Sequence, residues 1–416
     1  MKYKNICSQS ADERKVQAMK YLILLGDGMA DRPVEALGGR TPLEAADTPM
    51  MDRMAGMGEQ GLVQTVPEGM VPASDVANLS VLGFDPAVVY TGRSPLEALS
   101  RGVPMKHTDT ILRCSLVTLS EGEPYVEKTI IDHSSGELTT AEADVLMDAI
   151  RAEFDSEDFK FYTGTGYREL TVCRDLKLPE LEAPHDHLGQ VIGPYLPEEP
   201  VLRRMMERSF EVLRDHPLNR ERKAAGKNPA NSCWFWGAGT RPQLENFQQK
   251  TGLRGAMISG VDLLKGIGVG SGMEVIEVPG ATGGPDTSYE SKADCAVWAL
   301  LEDGCDFVYL HVEAPDEMGH MGDAAGKVRA IEALDRRILA RVKPALDASG
   351  EDYRIMVLPD HPTPVALRHH TADPVPYLIY DSRRQARMVG RYSEAEAAMT
   401  GNFFASAPEL FSYFLA

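Results

Sequence analysis

Asp316 and His320 stand four residues apart just after an apolar, β-prone run, Phe307 to Val312, which Pro315 brings to a close. In a helical turn that spacing puts a carboxylate and an imidazole on one side, within reach of a single cation. Alone, the segment reads better as a strand followed by a polar loop, but the same grammar recurs. Tyr21 to Leu25 is a second apolar run leading into Gly26-Asp27-Gly28, and Arg354 to Leu358 is a third leading into Pro359-Asp360-His361. His369-His370 come next, then a fourth run, Val375 to Tyr380. Carboxylates and imidazoles that follow strand ends gather in a crevice at the top of a parallel sheet, where such folds place ligands. Three aspartates and up to three histidines exceed what one cation takes, so the pattern predicts two divalent metals. The mixture of carboxylate and imidazole donors favours Mn²⁺, with Zn²⁺, Co²⁺ or Mg²⁺ as alternatives.

A hydroxyl belongs to the same chemistry. Pro67 to Gly83 reads as a loop that delivers Ser74-Asp75 to a helix starting near Val76. Free N–H groups and the helix dipole favour an anion there, such as a phosphoryl group. Service of Ser74 or Asp75 as a plain N-cap accounts for the same residues, and the local sequence leaves both readings open.

The elements that must position these groups follow from pattern. Thr41-Pro42 with Glu44, and Ser94-Pro95 with Glu97, carry the cap, proline and glutamate offsets of helix starts. From about Asp109 the texture changes. Ile111 to Leu119 and Tyr125 to Ile131 suggest a hairpin around Glu121-Gly122, Thr140 to Ala152 a helix, and Phe159 to Tyr162 and Leu170 to Cys173 further strands. Pro279 to Pro285 marks a return connection, and Lys292 to Leu301 a helix leading into the Phe307 strand. The chain is therefore read as α/β: a mostly parallel sheet flanked by helices (20–108 and 283–416), interrupted by a smaller inserted α+β domain (109–282), after a mobile leader (1–19). Two crossing segments make a natural hinge. Arg113, His133, Arg168, His185, Asp186 and Asn231 in the insert, with Lys292, are the candidates for holding a substrate.

Other features bound the function. The 416 residues carry 43 Lys and Arg against 62 Asp and Glu, a net charge of −19, which argues against nucleic acid as the main partner. No apolar run approaches the roughly 18 residues of a membrane span. The six cysteines form no CxxC pair, and residues 1–19 lack the apolar core of a secretory signal, so a reducing cytoplasm is expected. Gly266 to Gly272 looks like a glycine-rich nucleotide loop but lacks a convincing strand before it and a helix after it. No G-x-x-x-x-G-K-[ST] is present. Trp234-Phe235-Trp236 reads as insert core. Oligomeric state leaves no mark on the sequence.

Asp27-Gly28, Ser74-Asp75, Asp316-x-x-x-His320-Met321-Gly322, Asp360-His361 and His370-Thr371-x-x-Pro374-Val375-Pro376 resemble, in that order, the alkaline phosphatase superfamily. Within it they are similar to the archaeal-type branch of the cofactor-independent phosphoglycerate mutases, over about Lys20 to the C-terminus. Ala73-Ser74-Asp75 stands where the bacterial branch has Asn-Ser-Glu, and Met29-Ala30 follows Asp27-Gly28 where that branch has Trp-Gly. The resemblance implies an alkaline-phosphatase-like fold and one metal held by Asp27, Ser74, Asp360 and His361. It implies a second metal held by Asp316, His320 and His370. It also implies interconversion of 3-phosphoglycerate and 2-phosphoglycerate, a step of glycolysis and gluconeogenesis, through a phosphoserine at Ser74 and without 2,3-bisphosphoglycerate. The alternatives are a small-alcohol phosphotransferase such as a homoserine kinase, or a metal-dependent phosphohydrolase.

Overall fold

The computed structural model describes residues 19–384 and 390–416; the leader up to residue 18, with Cys7, lies outside them. Eight strands form one mixed sheet, in the spatial order Phe403–Phe404, Glu59–Val63, Val375–Asp381, Tyr353–Leu358, Lys20–Gly26, Phe307–Val312, Gly255–Ile258 and Glu274–Val275. Lys20–Gly26 is central and pairs in parallel with both Phe307–Val312 and Tyr353–Leu358. Every residue of these three strands is buried, as β-branched and leucine-rich runs require when helices cover both faces of a sheet. Leu22, Leu24, Val308, Leu310, Ile355 and Val357 point into one core. Tyr21, Ile23, Leu25, Tyr309, Met356 and Leu358 point into the other. The alternation is the period-2 pleat of strands sandwiched between helical layers.

Register decides where the site forms. Gly26 lies opposite Val312, and Leu25 opposite Leu358, so the loops carrying Asp27, Asp316 and Asp360 leave the sheet at one height. The fourth apolar run, Val375–Asp381, is antiparallel to Tyr353–Leu358. It therefore starts at the edge where Tyr353–Leu358 ends, and the connection bearing Asp360, His361 and His370 stays at the top throughout.

A second sheet is antiparallel. Thr110–Leu119 pairs with Arg168–Cys173, Ser232–Thr240 and the short Ile130–Asp132, and Phe159–Thr165 pairs with Arg168–Cys173. Trp234 and Phe235 sit in its own core with Leu112, Leu116, Leu146 and Met206. The change of sheet falls between Thr240 and Gly255, because Gly255–Ile258 and Glu274–Val275, expected in the insert, pair within the large sheet. The glycine-rich run is likewise no loop: Gly266, Gly268 and Gly270 belong to the helix Asp262–Gly270, which follows the strand Gly255–Ile258. A Cβ on Gly266 would stand 1.8 Å from the carbonyl oxygen of Leu96, so glycine here serves close packing against the helix Ser94–Ser100. No helix of the described residues is long and apolar enough to cross a membrane. Among those residues Cys114, Cys173, Cys233, Cys295 and Cys305 are free.

Candidate active site

Ser74 opens the helix Ser74–Val81, with Ala73 at the N-cap and no side-chain cap bond. The helix thus begins two residues before the expected Val76. The hydroxyl of Ser74 is free of capping duty and lies 3.2 Å from Nε2 of His361. Asp75 turns away: one of its oxygens accepts from Val76 N and the other from the Tyr90 hydroxyl.

Two groups of potential ligands converge beside Ser74. Asp27, Asp360 and His361 form one, and Asp316, His320 and His370 the other, each with ligand atoms within 4.8 Å of one another. His361 and His370 stack at 3.9 Å between centroids, which joins the groups. Gly28, at φ +60°, lets the first loop press against the Asp316 loop. A Cβ there would stand 2.5 Å from both Asp316 Oδ1 and Thr363 Oγ1.

The outer hydrogen bonds fix how the imidazoles face. His320 Nδ1 donates to the carbonyl of Arg368 at 2.9 Å, and His370 Nδ1 to that of Pro72 at 3.2 Å. Thr363 donates its hydroxyl to Asp316 Oδ1 and receives His361 Nδ1 at 3.4 Å. With every Nδ1 engaged, the three Nε2 atoms are the ones presented inward, the arrangement that second-shell partners impose on metal-bound histidine. His320 Nε2 lies 2.9 Å from His370 Nε2, and these lie 3.2 and 3.4 Å from the Asp316 carboxylate.

Electrostatics favours a cation at the same place. Burial, with Asp360 and Asp316 close by, pushes the Asp27 carboxyl well above its ordinary range. Its Oδ1 is buried without a hydrogen-bond partner, while Oδ2 accepts from His311 at 2.8 Å. The hydrogen bond to Asp316 pushes the His320 pKa up to about 9, the sign of a position where positive charge is stabilised. Burial lowers that of His361, keeping it a neutral donor. An orphaned buried acceptor, clustered carboxylates and inward Nε2 atoms together fit divalent metal ions.

A cleft of about 410 Å³ adjoins these groups, lined by Arg93, Arg101, Arg113 and Arg168 and by Glu313 and Glu317, which bracket Asp316 in sequence. Glu97 forks between Arg113 and Arg93, and Arg101 reaches Asp262 at 3.4 Å. Burial, then Asp316 and Glu317, push Glu313 up to about 8, so it is largely neutral at pH 7. One Glu97 charge shared by two arginines leaves the cleft attractive to anions.

The candidate substrate residues are placed unevenly. Arg113 and Arg168 line the cleft. His133 and His185 do not. They form an aromatic group behind Arg113, with the His185 ring 5.2 Å from Trp236, His133 6.0 Å from His185, and Arg113 4.7 Å over Trp236. Asp186 lies 3.8 Å from His185 Nε2. Asn231 is fully buried, exchanging both amide bonds with the backbone of Leu119, so it joins strands and cannot reach a ligand in the cleft. Lys292 is also fully buried and donates to the carbonyl of His311 at 3.1 Å. Burial lowers its pKa to about 8, and its ammonium group is bonded to the strand beneath the site. Arg93, Arg101 and Glu97 were not legible as site residues. Ser94 donates to the Gly237 carbonyl, and Glu97 binds arginines where a capping box was expected.

Residues 19–416 match the metalloenzyme superfamily. A 2,3-bisphosphoglycerate-independent phosphoglycerate mutase of Methanosarcina acetivorans is 48% identical over 367 residues, 87% of this chain and 90% of that protein. A second, from Methanothermobacter thermautotrophicus, is 48% identical over 382 residues, 90% of this chain and 92% of its own. Among solved structures, a protein from Pyrococcus horikoshii superposes with a TM-score of 0.79 at 29% identity, over 96% of this chain and 97% of that one. A cofactor-independent phosphoglycerate mutase from Thermoplasma acidophilum superposes with a TM-score of 0.63 at 26% identity, over 95% and 99%. The chain belongs to the archaeal-type family of 2,3-bisphosphoglycerate-independent phosphoglycerate mutases.

Proposed function

We propose that the chain interconverts 3-phosphoglycerate and 2-phosphoglycerate through a phosphorylated Ser74. The observation that carries this reading is the Ser74 hydroxyl, uncapped in the first turn of its helix and 3.2 Å from His361 Nε2. Asp27, Ser74, Asp360 and His361 would hold one divalent metal and Asp316, His320 and His370 a second, and Mn²⁺ suits this donor mixture. Such cations, when bound, lower the pKa of a coordinated hydroxyl and neutralise charge on a transferring phosphoryl group.

The chain's own residues bind, orient and retain. Arg93, Arg101, Arg113 and Arg168 take the phosphate and carboxylate of the substrate. Ser74 Oγ gives up its proton and attacks phosphorus; the Oγ–P bond forms as the ester bond to the glycerate oxygen breaks, and that oxygen takes up a proton. Ser74 stands at the N-terminal end of its helix, where the helix dipole favours the phosphoserine charge. The glycerate stays in the cleft and turns, and its other hydroxyl attacks. That hydroxyl loses its proton as the new P–O bond forms, and Ser74 Oγ leaves as its bond to phosphorus breaks and takes up a proton. Retention separates this outcome from hydrolysis, in which water takes the phosphoryl group.

Ser74→Ala tests the reading. Turnover of 3-phosphoglycerate should vanish while stability shifts by less than about 0.5 kcal/mol, because no cap bond is lost. An N-cap would instead cost about 1 kcal/mol and spare activity. Rapid acid quench with labelled 3-phosphoglycerate should leave label on the Ser74 peptide of the wild-type chain. Substantial turnover by Ser74→Ala would end the phosphoserine mechanism.

A further inference from the structure

Asn78 lies one turn after Ser74 and is completely buried. Its Nδ2 stands 2.8 Å from the Ser74 carbonyl and 2.9 Å from Asp360 Oδ2, and its Oδ1 receives the Tyr309 hydroxyl at 2.6 Å. The amide has only one workable orientation. Turned over, it would set an acceptor oxygen against a carbonyl and a carboxylate and leave Nδ2 facing the phenol. Tyr309 is a secure donor, since burial and the nearby Asp360 and Asp27 push its pKa well above the ordinary value.

The consequence falls on Asp360. Its Oδ1 accepts from Gly28 N at 3.0 Å and from His361 N at 2.9 Å, which fills that oxygen. Its Oδ2 accepts from Asn78 and faces His361 Nε2 at 3.3 Å. Only one direction on Oδ2 stays open toward the ligand group. Both protons of Nδ2 are used, one on the helix that carries the nucleophile and one on this carboxylate.

Resting on the two-metal phosphoserine reading above, we infer that Asn78 is a positioning residue for the reaction. Anchored by Tyr309 on the strand Phe307–Val312, it ties the Ser74 helix to Asp360. It thereby holds the serine hydroxyl in register with the Asp27–Asp360–His361 group and restricts Asp360 to single-oxygen ligation through Oδ2. Second-shell partners of this kind influence affinity and activity by about 10- to 100-fold.

The test is calorimetric titration of the chelator-stripped full chain with Mn²⁺, beside steady-state kinetics, for wild type, Asn78→Ala, Asn78→Asp and Tyr309→Phe. Asn78→Ala should weaken one of two Mn²⁺ binding events by about 10-fold or more and leave the other within about twofold. Its kcat should fall by a similar factor while KM for 3-phosphoglycerate stays within about twofold, because the arginines are untouched. Asn78→Asp keeps the shape and the Tyr309 bond but sets a carboxylate against Asp360, so its loss should be at least as large. Tyr309→Phe should lose less, in the same direction. If Asn78→Ala does not fold, Asn78→Asp and Tyr309→Phe decide. Folded variants with wild-type Mn²⁺ affinity and kcat, or with both binding events weakened equally, overturn the inference. The titration needs no turnover. A wild-type chain that binds Mn²⁺ but does not convert 3-phosphoglycerate would defeat the proposed function and leave the Asn78 result readable.

Discussion

Glu169 is fully buried on the strand Arg168–Cys173; one carboxyl oxygen accepts from Gly164 N and the other has no hydrogen-bond partner. Burial pushes its pKa up to about 8, against the lowering effect of the Gly164 N–H. In the unfolded chain a glutamate titrates near about 4.3. Between those values the folded protein holds a proton that the unfolded chain has released. Stability therefore falls as pH rises through that window, by at most about 1.4 kcal/mol per pH unit. Glu169→Gln should match the wild type at pH 4, where both side chains are neutral, and exceed its stability at pH 9. Urea unfolding at the two pH values measures this, and a less stable variant at pH 9 would mean the carboxylate is paired after all. The contrast with Asp27, Asp360 and His361 shows which residues sequence could reveal. Those three sit directly after apolar strands, so their neighbours in sequence announce their position. Asn78 and Asp360 are 282 residues apart in the chain, and nothing local to Asn78 tells of the carboxylate it binds. Asn231 and Lys292 are the opposite case, polar residues in a promising stretch whose groups bond backbone carbonyls and amides.

At the scale of elements, the strands were the plainest part of the sequence, because a run buried on both faces must be apolar along its whole length. The helix starts were less secure. Thr41 and Glu44 do form the reciprocal capping box, at 3.0 and 2.9 Å. The same spacing at Ser94 and Glu97 does not, because the helix takes Arg93 as its N-cap and the Glu97 carboxylate is held by two guanidinium groups. Gly266 to Gly272 has the look of a nucleotide loop because glycines at alternate positions signal one, whereas Gly266 here lets two helices approach. Gly266→Ala should be costly: its Cβ would meet the Leu96 carbonyl at 1.8 Å, and backbone cannot step aside as a side chain can. The expected loss is about 1–3 kcal/mol or more by chemical denaturation. KM for 3-phosphoglycerate should also rise, since the displaced helix Ser94–Ser100 carries Glu97. Gly270→Ala, whose Cβ meets only the tips of Leu244 and Leu99 at 3.0 and 3.1 Å, should be much milder. Equal effects from the two changes would contradict the close-packing account.

Across the whole molecule, the two sheets are joined by a buried ion pair. Glu97 on the helix Ser94–Ser100 packs with the large-sheet layer, and Arg113 lies on Thr110–Leu119 of the second sheet. Burial alone would raise the Glu97 pKa, but Arg113 and Arg93 hold it at about 2. Its folded value lies below the unfolded one near about 4.3. The stabilisation is therefore fully present above that pH and is lost as pH falls toward about 2. Removing one partner of such a pair strands the other charge in the interior, so Glu97→Gln should cost about 3–5 kcal/mol at pH 7. The deficit should shrink at pH 2.5, where the wild-type carboxyl is itself becoming protonated. The same substitution frees two arginines of the cleft from their shared anchor. KM for 3-phosphoglycerate should then rise more than kcat falls, because Ser74 and its neighbouring ligand groups stand on other loops. Denaturant melts at pH 7, 4 and 2.5, with steady-state kinetics at pH 7, check both halves. A pH-independent deficit would show that Glu97 acts by shape and not by charge, and an unchanged KM would show that the arginines hold their places without it.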